Sequence, residues 1–155
     1  QTVEKTIQSI EEEQPMSNEE KFKGFKEKLI ENNEKQYGKE IREKYGNETV
    51  DASNAKLMNM TEQQYQAMQQ LEQQMFERLA EAMKLGDTTS DIAMEVAELH
   101  KRWLNFTWKE YSKEAHAGLA QMYIADDRFT AYYDERGETG AAQFLHDAII
   151  AYTSK

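Results

Sequence analysis

The sequence predicts an all-α fold, and three observations carry that expectation. Apolar residues recur every three or four positions along most of the chain, no window alternates apolar and polar residues as a half-buried strand does, and one proline stands in 155 residues. A chain of this length suits a single domain with a real core.

The opening QTVEKTIQSIEEE places Val3, Ile7 and Ile10 at i, i+4 and i+7, the spacing of a coiled-coil seam. Residues 1–14 are therefore expected to be the end of a dimerisation helix that continues upstream, and Gln1 in place of Met fits a piece of a longer protein. Pro15 stops this helix, and Ser17 with Glu20 forms a capping box for the next. That helix should run to about Asn33 on Phe22, Phe25 and Leu29, after which Gly38 should interrupt the pattern of Tyr37, Ile41 and Tyr45. So few apolar anchors offset ordering entropy poorly, so residues 15–60 are expected to be a mobile helical segment.

Residues 61–155 read as the core. Thr61 and Gln64 open a long helix bearing Tyr65, Met68, Leu71, Met75, Leu79 and Met83, which Gly86 ends. A cap within 88–91 starts a second, with Ile92, Val96, Leu99, Trp103 and Leu104 at helical spacing. The period is lost over 105–112. Ser112 caps a third helix, ending near Asp126, and a short piece with Phe129, Tyr132 and Tyr133 follows. After the turn at 136–140, the last helix presents Ala141, Phe144, Leu145, Ala148, Ile149 and Tyr152 on one broad face.

Charge narrows the function classes. The 19 basic and 29 acidic residues give a net charge of −10, with 10 basic and 13 acidic in residues 1–60 against 9 and 16 in residues 61–155. No basic stripe offers a phosphate-binding face, so direct binding of nucleic acid by this chain is not expected. The absence of cysteine excludes disulfides and thiolate nucleophiles, and fits a cytoplasmic location. No apolar run reaches the roughly 20 residues of a membrane span, so no membrane partner is expected.

Chemical motifs are scarce. His100, His116 and His146 lack the Glu-x-x-His or i, i+4 spacing of helical metal sites, and no nucleophile elbow or glycine-rich phosphate loop occurs. No cofactor, metal or catalytic residue is assigned, and the chain is not expected to be an enzyme. What stands out is the aromatic supply around the break: Trp103, Phe106, Trp108, Tyr111 and Tyr123. Core packing at a helix junction accounts for such residues, and so does a pocket for an apolar or aromatic ligand, because not all of them can share one buried stripe. Glu110 and Glu114 would favour a cationic ligand there.

The sequence H-A-G-L-A-Q-M-Y-I-A-D-D-R-F-T at 116–130, with A-Q-F-L-H-D-A-I at 142–149, resembles the TipAS antibiotic-recognition domain, the C-terminal effector module of MerR-family transcription activators. F-K-G-F at 22–25, Y-G-K-E-I-R-E-K-Y-G at 37–46 and His100 extend the likeness. It implies a globin-like helical fold without haem, N-terminal helices that close over a small-molecule antibiotic or lipophilic drug, and a homodimeric full-length protein that meets DNA only through an upstream domain. The ligand-contacting residues it implies, joined to the aromatic reading, are Phe22, Phe25, Tyr37, Tyr45, Trp103, Phe106, Trp108, Tyr111, His116, Gly118 and Tyr123. In relatives that trap thiopeptides covalently, a cysteine stands two residues after the histidine. Gly118 holds that place here, so the resemblance implies reversible binding. The alternatives of other classes are a helical protein-interaction module and a protein that sequesters drug without a DNA-binding function.

Overall fold

The structure, a computed structural model, describes residues 17–155, and every regular element among them is an α-helix. The expected seam of Val3, Ile7 and Ile10, and the stop at Pro15, lie outside the described residues. The chain divides into two compact units with the boundary between Asn59 and Met60.

Unit one holds α1 (Asn18–Tyr45) and α2 (Asn47–Met58). Both halves of the predicted capping box form: the Glu20 amide donates to Ser17 Oγ at 3.1 Å, and the Ser17 amide donates to the Glu20 carboxylate at 3.3 Å. The expected interruption at Gly38 does not occur, and α1 runs on through it. Gly38 is buried, and a Cβ there would overlap Glu34 Oε1, so the glycine leaves room for the Glu34 carboxylate. Glu34 accepts from Arg42 and from Asn54, while Arg42 also reaches Asp51 at 2.9 Å and Asn47 at 3.1 Å. This network ties α1 to α2, a helix that the sparse apolar pattern of 47–58 did not announce. The chain turns between them at Gly46, whose φ of 88° suits a residue without a side chain. Lys26, 5% exposed, donates from Nζ to the Met58 carbonyl at 2.6 Å and so satisfies an orphan acceptor at the end of α2.

Unit two contains α3 (Glu62–Leu85), α4 (Asp91–Leu104), α5 (Lys113–Ala125), α6 (Asp127–Arg136) and α7 (Ala141–Thr153). α7 is the hub, packing on α3, α4, α5 and α6, while α3 pairs with α4 and α5 with α6. Its face of small and branched residues explains the position: Ala141, Ala142, Leu145, Ala148 and Ile149 are fully buried, and the alanines let neighbouring helices approach closely. Met75, Leu79 and Val96 fill the opposite side of this core.

Local signals set the helix ends. Thr61 and Gln64 form the second capping box, Gly86 ends α3 in the left-handed conformation, and Ser90, Ser112 and Asp126 cap α4, α5 and α6. Gly140 supplies no side chain at the start of α7. Asp134 supplies one instead, accepting the Ala142 amide at 2.9 Å. Among the described residues no helix is long and apolar enough to cross a membrane.

Candidate functional site

The break after α4 is a compact turn that reuses the carbonyls at the helix end: Trp108 donates its amide to the Leu104 carbonyl at 2.7 Å, and Phe106 donates to that of Trp103 at 3.2 Å. The turn holds Phe106 and Trp108 half-buried and delivers Tyr111 to the start of α5. His116 lies in the first turns of α5, and His100 lies on the buried stripe of α4, four residues from both Val96 and Leu104. Both imidazoles are completely buried.

These groups form a continuous chain of hydrogen bonds. The Tyr111 hydroxyl meets His116 Nδ1 at 2.7 Å, His116 Nε2 meets His100 Nδ1 at 2.9 Å, and His100 Nε2 meets the Tyr123 hydroxyl at 3.1 Å. Tyr133, from α6, packs its ring against that of Tyr123, with centroids 4.5 Å apart. The imidazoles lie parallel, 6° between planes and 5.1 Å between centroids, with the Trp103 ring 5.5 Å from His100. Tyr111 sits edge-on to His116 at 5.4 Å, Tyr152 of α7 meets the same ring at 6.2 Å, and Trp108 lies 6.2 Å from Tyr111.

Electrostatics keep both histidines neutral at neutral pH. Burial holds His100 well below the usual imidazole range, and the neighbouring His116 lowers it further. Burial brings His116 down to about 4, with the Lys101 ammonium acting in the same direction. Burial also raises the Tyr111 phenol, helped by the charges of Glu98 and Glu114, so that it stays protonated. All four imidazole nitrogens are engaged, which leaves no lone pair directed at a metal or haem iron. No group of three or more metal-binding side chains occurs among the described residues.

Of the residues singled out in the sequence, Trp103, Trp108, Tyr111, His116 and Tyr123 therefore gather around His100. Phe106 sits in the adjoining turn, and Gly118 is half-buried on α5, two residues beyond His116. The remainder belong to unit one, where Phe22 and Phe25 stack at 6.4 Å, Phe25 is exposed, and Tyr37 and Tyr45 are half-buried, burial pushing the Tyr45 phenol up to about 12. Sequence reasoning missed His100, Tyr133 and Tyr152 as members of this cluster. The signal for His100 was its place on the apolar stripe of α4, where a polar side chain needs a buried partner. Two shallow grooves of about 350 and 370 Å³ lie elsewhere, one along Phe76, Ala80 and Arg136 and the other along Ile30, Asn54 and Met58.

The junction of α4 and α5 thus carries a buried cluster of aromatic and histidine side chains within a helical core. The model of the TipAS antibiotic-recognition domain matches residues 37–152, and the chain belongs to that family. It is 27% identical over 152 residues to the HTH-type transcriptional activator mta of Bacillus subtilis, a match covering 98% of this chain and 58% of that protein. It is 31% identical over 118 residues to the HTH-type transcriptional activator TipA of Streptomyces coelicolor, covering 75% and 46%. The chain thus spans about half the length of these curated relatives. Among solved structures, TipAS of Streptomyces lividans in complex with nosiheptide, a thiopeptide antibiotic, matches with a TM-score of 0.66 at 28% identity, over 90% of this chain and 96% of that one.

Proposed function

We propose that the chain is the effector-binding part of a MerR-family transcriptional activator, taking an antibiotic or lipophilic drug without covalent capture and without catalysis. The likeness to nosiheptide-bound TipAS over nine-tenths of the chain carries this reading. The absence of cysteine supports reversible binding, because no thiol can add to a dehydroamino acid. Each unit carries a set of residues that we assign to the ligand: Phe22, Phe25, Tyr37 and Tyr45 in unit one, and Trp103, Phe106, Trp108, Tyr111, His116, Gly118 and Tyr123 in unit two. The proposed organisation is the end of a dimerisation helix at 1–14, a segment ordered by ligand at 15–60 and a ligand-binding core at 61–155. DNA contact and homodimerisation belong to the full-length cytoplasmic protein, since a net charge of −10 gives this chain little affinity for duplex DNA.

Titration with nosiheptide, followed through the emission of Trp103 and Trp108, tests the reading. Saturable quenching that reverses on dilution, with an unchanged intact mass, is the expected result. A stable mass adduct would contradict reversible binding, and no saturable change would contradict thiopeptide recognition. Amide exchange in 17–60 should slow on binding, as expected when coupled ordering consumes roughly 2–5 kcal/mol of the gross interaction energy.

A further inference from the structure

The bond between His100 and His116 constrains both rings at once. Each ring is neutral at neutral pH, as its burial requires, and a neutral imidazole carries one proton, on Nδ1 or on Nε2, while its other nitrogen accepts. His100 Nδ1 meets His116 Nε2 at 2.9 Å, so one of these two nitrogens holds a proton and the other is bare. If His100 Nδ1 holds it, His116 Nε2 is bare and His116 is protonated on Nδ1. If His116 Nε2 holds it, His100 Nδ1 is bare and His100 is protonated on Nε2. The rings therefore share a tautomer, both Nδ1–H or both Nε2–H. A mixed pair would set two N–H groups or two lone pairs against each other between two fully buried side chains.

The outer nitrogens carry this choice to two hydroxyls. His116 Nδ1 meets that of Tyr111 at 2.7 Å, and His100 Nε2 meets that of Tyr123 at 3.1 Å. In the Nδ1–H state, His116 donates to the Tyr111 oxygen, the Tyr111 proton is left for another acceptor, and His100 accepts from Tyr123. In the Nε2–H state, Tyr111 spends its proton on His116, keeps lone pairs for an outside donor, and His100 donates to Tyr123. Tyr111 and Tyr123 thus change roles together, with two imidazoles between them. The ends differ in access: Tyr123 is 3% exposed, whereas Tyr111 is half-buried beside the turn that follows α4.

We propose that the His100–His116 pair is a two-state relay, in which a ligand that hydrogen-bonds to Tyr111 selects one shared tautomer and thereby resets the hydrogen bond of Tyr123 in the core. A group that accepts from Tyr111 favours the Nδ1–H state and a group that donates to it favours the Nε2–H state, each by its difference in affinity for the two. His100 is a positioning residue, fully buried and acting through His116. The ligand step rests on the effector-binding reading above; the coupling of the rings does not.

Long-range nitrogen–proton correlation spectra at pH 7.5 read the tautomer of each ring. His100 and His116 should show the same tautomer, or the same proportion of the two, and opposite tautomers overturn the relay. Tyr123→Phe tests the coupling at a distance. It leaves His100 Nε2 without a partner, where a bare lone pair is less costly than an unpaired buried N–H, so both rings should settle as Nδ1–H. His116, whose ring nitrogens face Tyr111 and His100, is the decisive readout, and Nε2–H on it in the folded variant overturns the relay. Tyr111→Phe should send both rings to Nε2–H by the same argument, and a response confined to His116 would equally overturn the coupling. Should either variant fail to fold, the wild-type chain and the other variant decide. For the ligand step, nosiheptide at saturation, judged by tryptophan emission, should shift the tautomer populations of both rings in the same direction. Unchanged populations in the complex, or a shift of one ring alone, overturn that step. Failure of the wild-type chain to bind nosiheptide overturns thiopeptide recognition and the ligand step together, while the tautomers of the unliganded chains still settle the relay.

Discussion

Unit one joins its two described helices through polar side chains, with Arg42 gathering Glu34, Asp51 and Asn47, and Lys26 closing the end of α2, whereas unit two joins five helices through the close-packed face of α7. Burial of apolar area stabilises by roughly 25 cal/mol per Å², while ion pairs open to solvent add little and are screened by salt. The difference teaches where each unit is vulnerable. Unit two should yield to cavities and to protonation of its buried histidines, and unit one to ionic strength. A segment held by weak, geometrically specific ties can also be ordered by a ligand at modest cost, which fits the proposed role of residues 15–60.

The largest expected effect is therefore in the core of unit two. Leu145 is fully buried on the hub helix, and Leu145→Ala should cost about 2–5 kcal/mol through lost transfer energy and the cavity left behind. Urea denaturation monitored by tryptophan emission measures it. A loss under about 1 kcal/mol would mean that α7 is not the centre of the packing.

The second effect is a pH dependence with a definite sign. His100 and His116 have folded-state pKa values below the ordinary value near 6.5, so below that pH the unfolded chain binds protons that the folded one refuses. Stability thus rises with pH in this window: it is fully present above about 6.5 and is lost as pH falls toward 4, at about 1.4 kcal/mol per pH unit for each proton. Comparing urea midpoints at pH 7.5 and 5.5 for wild type and for the His100→Gln, His116→Gln double variant isolates this term from the carboxylates. Parallel losses in the two proteins would show that the histidines are not held neutral.

Much of unit two was legible because its signals are local. Capping at Thr61 and Ser112, the left-handed stop at Gly86 and the broad face of α7 all follow from residues within a turn or two of each other. What stayed hidden depends on distant partners. Gly38 reads as a breaker until Glu34 is seen folding back to Arg42, and α2 has few apolar residues because side chains of α1 hold it. His100 and His116 are 16 positions apart on different helices, and periodicity locates each on its own helix without revealing that the rings meet. The aromatic supply at the break was plain in the sequence, but its centre, a buried imidazole pair, was not.

A third effect sharpens the contrast between the units through salt. From 0.1 to 1 M ionic strength the Debye length falls from about 10 to 3 Å, which weakens the half-exposed network around Arg42 while leaving apolar contacts intact. Amide exchange should accelerate several-fold near Glu34, Arg42 and Asp51, with little change around Leu79 and Ile149. Uniform acceleration would remove the distinction between the two units.

The smallest effect comes from Gly38, where two terms of opposite sign nearly cancel. Alanine is favoured over glycine inside a helix by roughly 1 kcal/mol, so Gly38→Ala should by itself strengthen α1. The new methyl would occupy the place of Glu34 Oε1, and the carboxylate would have to swing away from Arg42 and Asn54. Glu34 is a flexible side chain near the surface and can move without disturbing the backbone, so the net change should stay below about 1 kcal/mol. Salt separates the terms, because screening diminishes the lost ion pair and leaves helix propensity untouched. Exchange protection of the amides around position 38 should therefore improve more on Gly38→Ala at 1 M salt than at 0.1 M. Equal gains at both salt concentrations would mean that Glu34 keeps its grip on Arg42 beside the methyl, and that the glycine is not there to make room for it.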